Sequence, residues 1–267
     1  LVSIDQEGGA VQRLSVGVEP VPSAASVGAT GDRRYARQVA RANGRSLADV
    51  GATMVMAPVA DVDPTGTSAL GSRVYSADFE SAAGAVVATV KGYLRAGVLP
   101  VVKHFPGLGT VAGDSHVSLP VQTKSVRELK RTDLRPFRKA IRAGAPVVMT
   151  GHVAVEALEP GVPASVSPAV VQGLLRDDLG FEGVAVTDSQ GMGPIHARYG
   201  SARGAVLSLL AGNDLVLNSP FPRRAWRAVQ DAVASGELAE ERLAEAATRV
   251  VALRLYLDRL VDRSGSR

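Results

Sequence analysis

Leu94-Arg95-Ala96-Gly97-Val98-Leu99-Pro100-Val101-Val102-Lys103-His104 is the stretch that decides the fold. A helical segment, Phe79–Ala96, stops at Gly97, because glycine readily takes the left-handed backbone that ends a helix. A β-branched run, Val98–Lys103, follows at once and runs into His104. The same unit recurs along the chain. Further strands are expected at Leu1–Ile4, Thr53–Val59, Pro146–Thr150, Gly183–Thr187 and Asp214–Leu217. Helices are expected at Asp32–Val50, Ser125–Ala143, Pro168–Asp178, Ala202–Ala211, Pro222–Ser235 and Ala239–Leu257. Gly51, Gly144 and Gly212 stand where Gly97 does, between a helix and the next strand. Such alternation predicts an α/β fold with a parallel sheet and right-handed crossovers. A doubly wound open sheet shares the rhythm, but no glycine-rich phosphate loop follows the first strand. Leu243, Ala246, Val250, Val251, Leu253 and Leu257 make one apolar face, so the last helix reads as a packing helix that closes the domain.

Composition narrows the function classes. The 267 residues are 46% hydrophobic and 21% charged, enough to bury a sizeable core in one large domain. Cysteine is absent, which removes disulfides, thiolate catalysis and cysteine metal sites. The net charge is +4, spread along the chain, and aromatics make up 4%. No basic run interleaves with aromatics, so a nucleic-acid partner is not expected. The excess of cations still suits anionic polymers or a negatively charged cell surface. No apolar run reaches the length of a membrane span.

Ionisable residues gather at the expected strand ends. Leu1–Ile4 runs into Asp5-Gln6-Glu7-Gly8-Gly9, Thr53–Val59 into Asp61 and Asp63, and Val98–Lys103 into His104. Pro146–Thr150 runs into His152 and Gly183–Thr187 into Asp188. In a (β/α) barrel these ends share one face, where the connecting loops build the active site. The loop from His104 to His116 carries Gly107, Gly109 and Gly113. Asp114 and His116 are two apart, so an extended loop turns both side chains to one side. A carboxylate beside an imidazole orients the ring and raises its basicity.

These motifs together resemble glycoside hydrolase family 3, within its β-N-acetylglucosaminidase branch. The stretches that carry the likeness are Asp5-Gln6-Glu7-Gly8-Gly9 with Val11-Gln12-Arg13, then Lys103-His104-Phe105-Pro106-Gly107, then Asp114-Ser115-His116, then Thr187-Asp188-Ser189. They occur in the family's order across essentially the whole chain. The resemblance implies a (β/α)8-type TIM barrel, one catalytic domain over 1–267, needing no cofactor or metal. It implies a retaining hydrolase that removes terminal β-linked N-acetylglucosamine through a covalent glycosyl-enzyme, with peptidoglycan fragments as the expected substrate. Asp188 would be the nucleophile, His116 the acid/base and Asp114 its partner. Asp5, Arg13, Arg73, Lys103 and His104 would hold the sugar. Retaining hydrolysis needs a carboxylate under the anomeric carbon and a proton donor over the leaving oxygen. A histidine in the second role repels an anionic nucleophile less than a second carboxylate would. Leu108 stands where the branch usually has a second histidine, and Ala10 where an arginine is common.

Alternatives differ in class. A non-catalytic carbohydrate- or peptidoglycan-binding barrel would retain the pocket without turnover. A β-glycoside phosphorylase would use phosphate as acceptor. A metal-dependent hydrolase would need His104, His116, His152 and Asp188 together, without the spacing of known zinc motifs. A monomer is expected, in the cytoplasm or exported and lipid-anchored. Residues 104–116 are expected to form a mobile lid, Met192 is a candidate pocket residue, and Trp226 reads as a helix packing residue. Six strands are legible where a closed barrel of this type has more, and the chain starts inside a strand. The expectation is therefore a barrel lacking its N-terminal strand or strands, roughly 30–60 residues upstream, with an open gap beside Leu1–Ile4.

Overall fold

The computed structural model of the chain describes residues 1–113, 115 and 118–265. β1 (Ser3–Ile4) leads into a hairpin of β2 (Gln6–Gly8) and β3 (Val11–Gln12), followed by α1 (Ala24–Ala29) and α2 (Arg33–Asp49). β4 (Met54–Val55), α3 (Phe79–Arg95), β5 (Leu99–Phe105) and β6 (Val121–Gln122) come next. α4 (Val126–Arg131), α5 (Leu134–Arg142), β7 (Val147–Thr150), β8 (Ala154–Val155) and a π-helix, Ala169–Asp178, lead to β9 (Val184–Thr187). The chain closes with α6 (Gly193–Ala211), α7 (Pro222–Ala234) and α8 (Glu240–Ser264).

β1, β4, β5, β7 and β9 form one sheet in that order, and every neighbouring pair is parallel. The sheet is curled as half a barrel. Among the described residues β1 pairs with β4 alone, so the open gap expected beside Leu1–Ile4 is present and no closed (β/α)8 barrel is formed. The sixth expected strand, Asp214–Leu217, is reduced to a single parallel bridge, Val186 to Leu215. Side chains interrupt its ladder. The Asp214 carboxylate takes the Ala185 N–H at 2.9 Å, and the Thr187 hydroxyl takes the Leu217 N–H at 3.1 Å. Thr53–Val59 is likewise shorter than expected, since Pro58 has no N–H to offer a ladder.

Alternation along the strands sends one set of side chains to each face. Met54, Leu99, Val101, Val147, Met149, Val184 and Val186 face the hollow, where Leu253, Leu257 and Leu260 of α8 meet them. Val102, Val148 and Ala185 face Leu134, Phe137 and Leu174 on the other side. Val261 and Ser264 lie against Gly97, just before β5, so the end of α8 closes the hollow at the strands' N-terminal ends. The opposite ends stay open. The packing role expected of the last helix therefore holds for Leu253 and Leu257, whereas Val251 is exposed. Trp226 is also exposed, at 62%, and does not pack as expected.

α2 and α3 pack closely because their contact is made of small residues. A side chain at Gly92 would meet the Arg37 carbonyl at 2.5 Å, and one at Gly44 the Ala96 methyl at 2.7 Å. Asp32 and Asp78 cap these helices through the N–H groups of Arg34 and Ser81. The expected Ser125–Ala143 helix is two helices. Asp133 is buried at their junction and accepts from Thr110, Lys124 and Thr132. α6 starts earlier than expected and breaks at Gly200, with φ +64°. Among the described residues no helix is long and apolar enough to cross a membrane.

Candidate active site

The hairpin after β1 is held by one buried side chain. Gln6 accepts from the N–H groups of Arg13 (2.8 Å) and Leu14 (3.1 Å) and donates to the Leu14 carbonyl (3.0 Å). That clamp presents Glu7 inward. Gly8 makes the turn possible: its φ is +101°, and a Cβ there would lie 2.2 Å from the Pro22 carbonyl oxygen. Gly8→Ala is therefore expected to cost about 2 kcal/mol or more and to raise KM by displacing Glu7. Denaturant melts and steady-state kinetics check both; an unchanged KM in a destabilised variant would separate the hairpin from the site.

Glu7 is the hub of the charged wall. Its carboxylate accepts from Arg73 Nε at 2.7 Å and Nη2 at 2.9 Å, and pairs with Lys103 Nζ at 2.7 Å. Lys103 Nζ also donates to Asp5 Oδ1 at 2.8 Å. Burial alone would raise the Glu7 pKa, but the Lys103 charge and the Arg73 guanidinium outweigh it and bring it to about 2. Arg73 continues the chain to His104, its Nη2 lying 3.5 Å from Nε2. His104 Nδ1 donates to Asp61 Oδ2 at 2.7 Å, since a carboxylate only accepts. The second Asp61 oxygen accepts the Leu108 N–H at 2.6 Å.

Asp188 stands across the pocket at the end of β9. Its N–H donates to the Thr150 carbonyl at 2.9 Å, which fixes the backbone to β7. Its Oδ1 accepts the Ser189 N–H at 2.7 Å, and no described residue donates to Oδ2. Burial pushes its pKa up. His104 and His152, the Ser189 N–H and the Lys103 charge more than reverse this, so the pKa lies below the ordinary aspartate value. Behind it, His152 is fully buried and bridges Ser165 Oγ (2.8 Å) and the Ser189 carbonyl (2.9 Å). Because that carbonyl only accepts, His152 Nε2 carries a proton and steadies the turn after Asp188.

The pocket holds about 710 Å³ and is lined by Asp5, Arg13, Arg73, Lys103, His104 and Asp188. Those six are all of the expected site residues that fall among the described ones. Asp114 and His116 lie outside the described residues; Gly113 and Ser115 line the pocket. Met192 lines it too. Residues 104–111 of the expected lid are anchored by contacts in this structure. Phe105, Leu108 and Val111 are buried, Leu108 is tied to Asp61, and Thr110 donates to Asp133 at 2.5 Å. The metal reading gains nothing from the geometry. His104 Nδ1 and both His152 nitrogens are engaged elsewhere, and among the described residues no cluster of three His, Asp or Glu could hold an ion.

Three residues that shape the pocket, Glu7, Asp61 and His152, carry no such role in the sequence analysis. Glu7 lay inside a quoted motif, and Asp61 at a strand end, but neither was given a role. His152 was weighed only as a metal ligand. The available signal was their shared place just beyond a strand or within its first turn.

Comparison with known proteins gives the site a context. The profile of the glycosyl hydrolase family 3 N terminal domain matches residues 1–253. A β-hexosaminidase of Stenotrophomonas maltophilia K279a is 37% identical over 223 residues, covering 81% of this chain and 66% of that protein. The β-hexosaminidase LpqI of Mycobacterium tuberculosis H37Rv is 37% identical over 224 residues, covering 81% and 57% respectively. Among solved structures, a glycoside hydrolase family 3 β-N-acetylglucosaminidase from Paenibacillus sp. FPU-7 superimposes with a TM-score of 0.95 at 40% identity, over 97% of this chain and 50% of the other. The chain thus spans between half and two thirds of the length of these relatives.

Proposed function

The chain belongs to glycosyl hydrolase family 3, and from that premise we propose that it is a retaining β-N-acetylglucosaminidase acting on terminal N-acetylglucosamine, with peptidoglycan fragments as substrate. The observation that carries this is Asp188. It is a carboxylate held ionised at a strand end, with one oxygen engaged by Ser189 and the other turned to a pocket whose far wall is a linked set of sugar-sized donors and acceptors.

The chemistry follows from the sides of the pocket. Lys103, Arg73 and Arg13 donate to sugar hydroxyls, and Asp5 accepts from them. His104, oriented by Asp61, adds a ring nitrogen edge. The Asp188 carboxylate attacks the anomeric carbon as the glycosidic C–O bond breaks, and the leaving oxygen takes a proton from His116. Water then attacks the glycosyl-aspartate, giving its proton to His116 and releasing the Asp188 carboxylate. The role of His116, with Asp114 as its orienting partner, rests on the Asp114-Ser115-His116 motif. The residues of this chain act as one catalytic domain in this reading.

Hydrolysis of aryl N-acetyl-β-glucosaminides, followed by proton NMR with and without phosphate, tests the proposal. The β-anomer of free N-acetylglucosamine is the expected first product in both buffers. A sugar 1-phosphate would make the enzyme a phosphorylase, and no turnover would leave a binding module. His116→Ala is expected to slow poor leaving groups by about 10²-fold or more and dinitrophenyl leaving groups far less in the glycosylation step. Equal losses for both would contradict the acid/base role.

A further inference from the structure

The cations that give the chain its net charge are not evenly placed in the folded protein. Arg33, Arg37 and Arg41 recur every fourth residue along α2, about 6 Å apart. Lys91 and Arg95 follow the same spacing on α3. Close packing of the two helices through Gly92 and Gly44 brings these rows to either side of one furrow. The furrow has two hollows. Arg33, Arg34, Arg37 and Lys91 line one of about 470 Å³. Lys91 again, with Arg41, Arg95 and Arg263, lines one of about 620 Å³. Lys91 therefore joins them into one track.

The track is little compensated: the Arg33 charge reaches Glu80 only as one of several cations around that carboxylate. Among the described residues no Asp or Glu lines either hollow. Among the described residues Arg33, Arg34, Arg37, Arg41, Lys91 and Arg95 form no ion pair, whereas Lys139 on the lip of the first hollow is committed to Glu80. Arg33 lies across Gly84, whose missing side chain leaves the floor of the furrow open to it. Like charges held this close repel one another, and an anionic ligand relieves that repulsion.

We propose that the α2–α3 furrow binds a single strand of a linear polymer that carries a phosphate in each repeat and no nucleobases. The concave track fits one chain, whereas a bilayer would need a face that protrudes. Among the described residues no aromatic side chain lines either hollow, so none there stacks on nucleobases. The site lies on the helical exterior, away from Asp188, and does not depend on the activity proposed for the pocket. It would hold the enzyme against a phosphate-rich matrix while the pocket stays free.

Binding of long-chain inorganic polyphosphate to the full chain, followed by fluorescence anisotropy over a salt series, tests this. Affinity is expected to fall steeply with rising salt, and orthophosphate is expected to compete poorly. R37E/K91E is expected to weaken binding about 30-fold or more, and R37Q/K91Q by less. A control reversal on α7, R223E/R227E, is expected to keep binding within about 3-fold. All three variants should retain the thermal midpoint and the rate on an aryl glycoside. Absence of binding at low salt, or equal loss in the α7 control, would overturn the proposal. So would tighter binding to anionic phospholipid vesicles or to single-stranded DNA than to polyphosphate. Should R37E/K91E not fold, undiminished binding by R37Q/K91Q would overturn it.

Discussion

Asp188→Asn is expected to lower kcat/KM by about 10⁴-fold or more while leaving the fold intact. The carboxylate lines the pocket, and no described residue donates to its Oδ2. The variant keeps its shape, and its Oδ1 still accepts from Ser189 N–H. It loses the charge that attacks the anomeric carbon. Because His104, His152 and Lys103 stabilise the anion, the change removes a favourable field interaction along with the cost of burying the charge. Stability is thus expected to move by no more than about 1 kcal/mol. A thermal melt beside the rate measurement separates the two effects. Loss of fold together with rate would mean that Asp188 is structural, and retention of rate would remove it from the reaction.

The second large effect is expected at Glu7. Removing one partner from a buried charge network leaves the others uncompensated, typically at a cost of about 3 kcal/mol or more. Glu7→Gln leaves Lys103 with Asp5 alone and takes from Arg73 its carboxylate partner. The lowered pKa, which reflects the same contacts, gives a figure of the same order. A fall from 4.5 to about 2 corresponds to about 3 kcal/mol of stability. The group binds a proton more weakly when folded, so this contribution is full above pH 4.5 and is lost as pH falls toward 2. Glu7→Gln should therefore destabilise the protein at pH 7 and flatten the acid limb of its stability profile between those values. KM should rise as well, because Lys103 and Arg73 lose the anchor that aims them into the pocket. Urea melts from pH 7 down to pH 3 read the stability, and a limb as steep as in the parent protein would contradict the assignment.

Elements governed by local patterns were legible in the sequence. Gly51, Gly97, Gly144 and Gly212 all end helices with positive φ, and each of the first five expected strands coincides at least in part with a strand. Site residues at strand ends were legible for the same reason, since the parallel order brings those ends together. What could not be read depends on contacts remote in sequence. Asp133 divides one expected helix because a buried carboxylate takes its partners from Thr110 and Lys124 as well as from Thr132. Thr110 and Leu108 are held by the same kind of contact with partners remote in sequence, which glycine spacing does not reveal. Glu7 meets Arg73 and Lys103 only through folding. The open sheet edge at β1 followed from the count of legible strands, whereas the placement of α8 in the hollow is a tertiary outcome that strand spacing does not encode.

The most direct measurement is to trap the covalent intermediate. A 5-fluoro-N-acetylglucosaminyl fluoride reacts with a retaining nucleophile and then turns over slowly, so peptide mapping by mass spectrometry can locate the sugar. The account predicts a single adduct on the carboxylate of Asp188, absent from Asp188→Asn. An adduct on Asp5, Glu7 or Asp61, or turnover with inversion and no adduct at all, would contradict it.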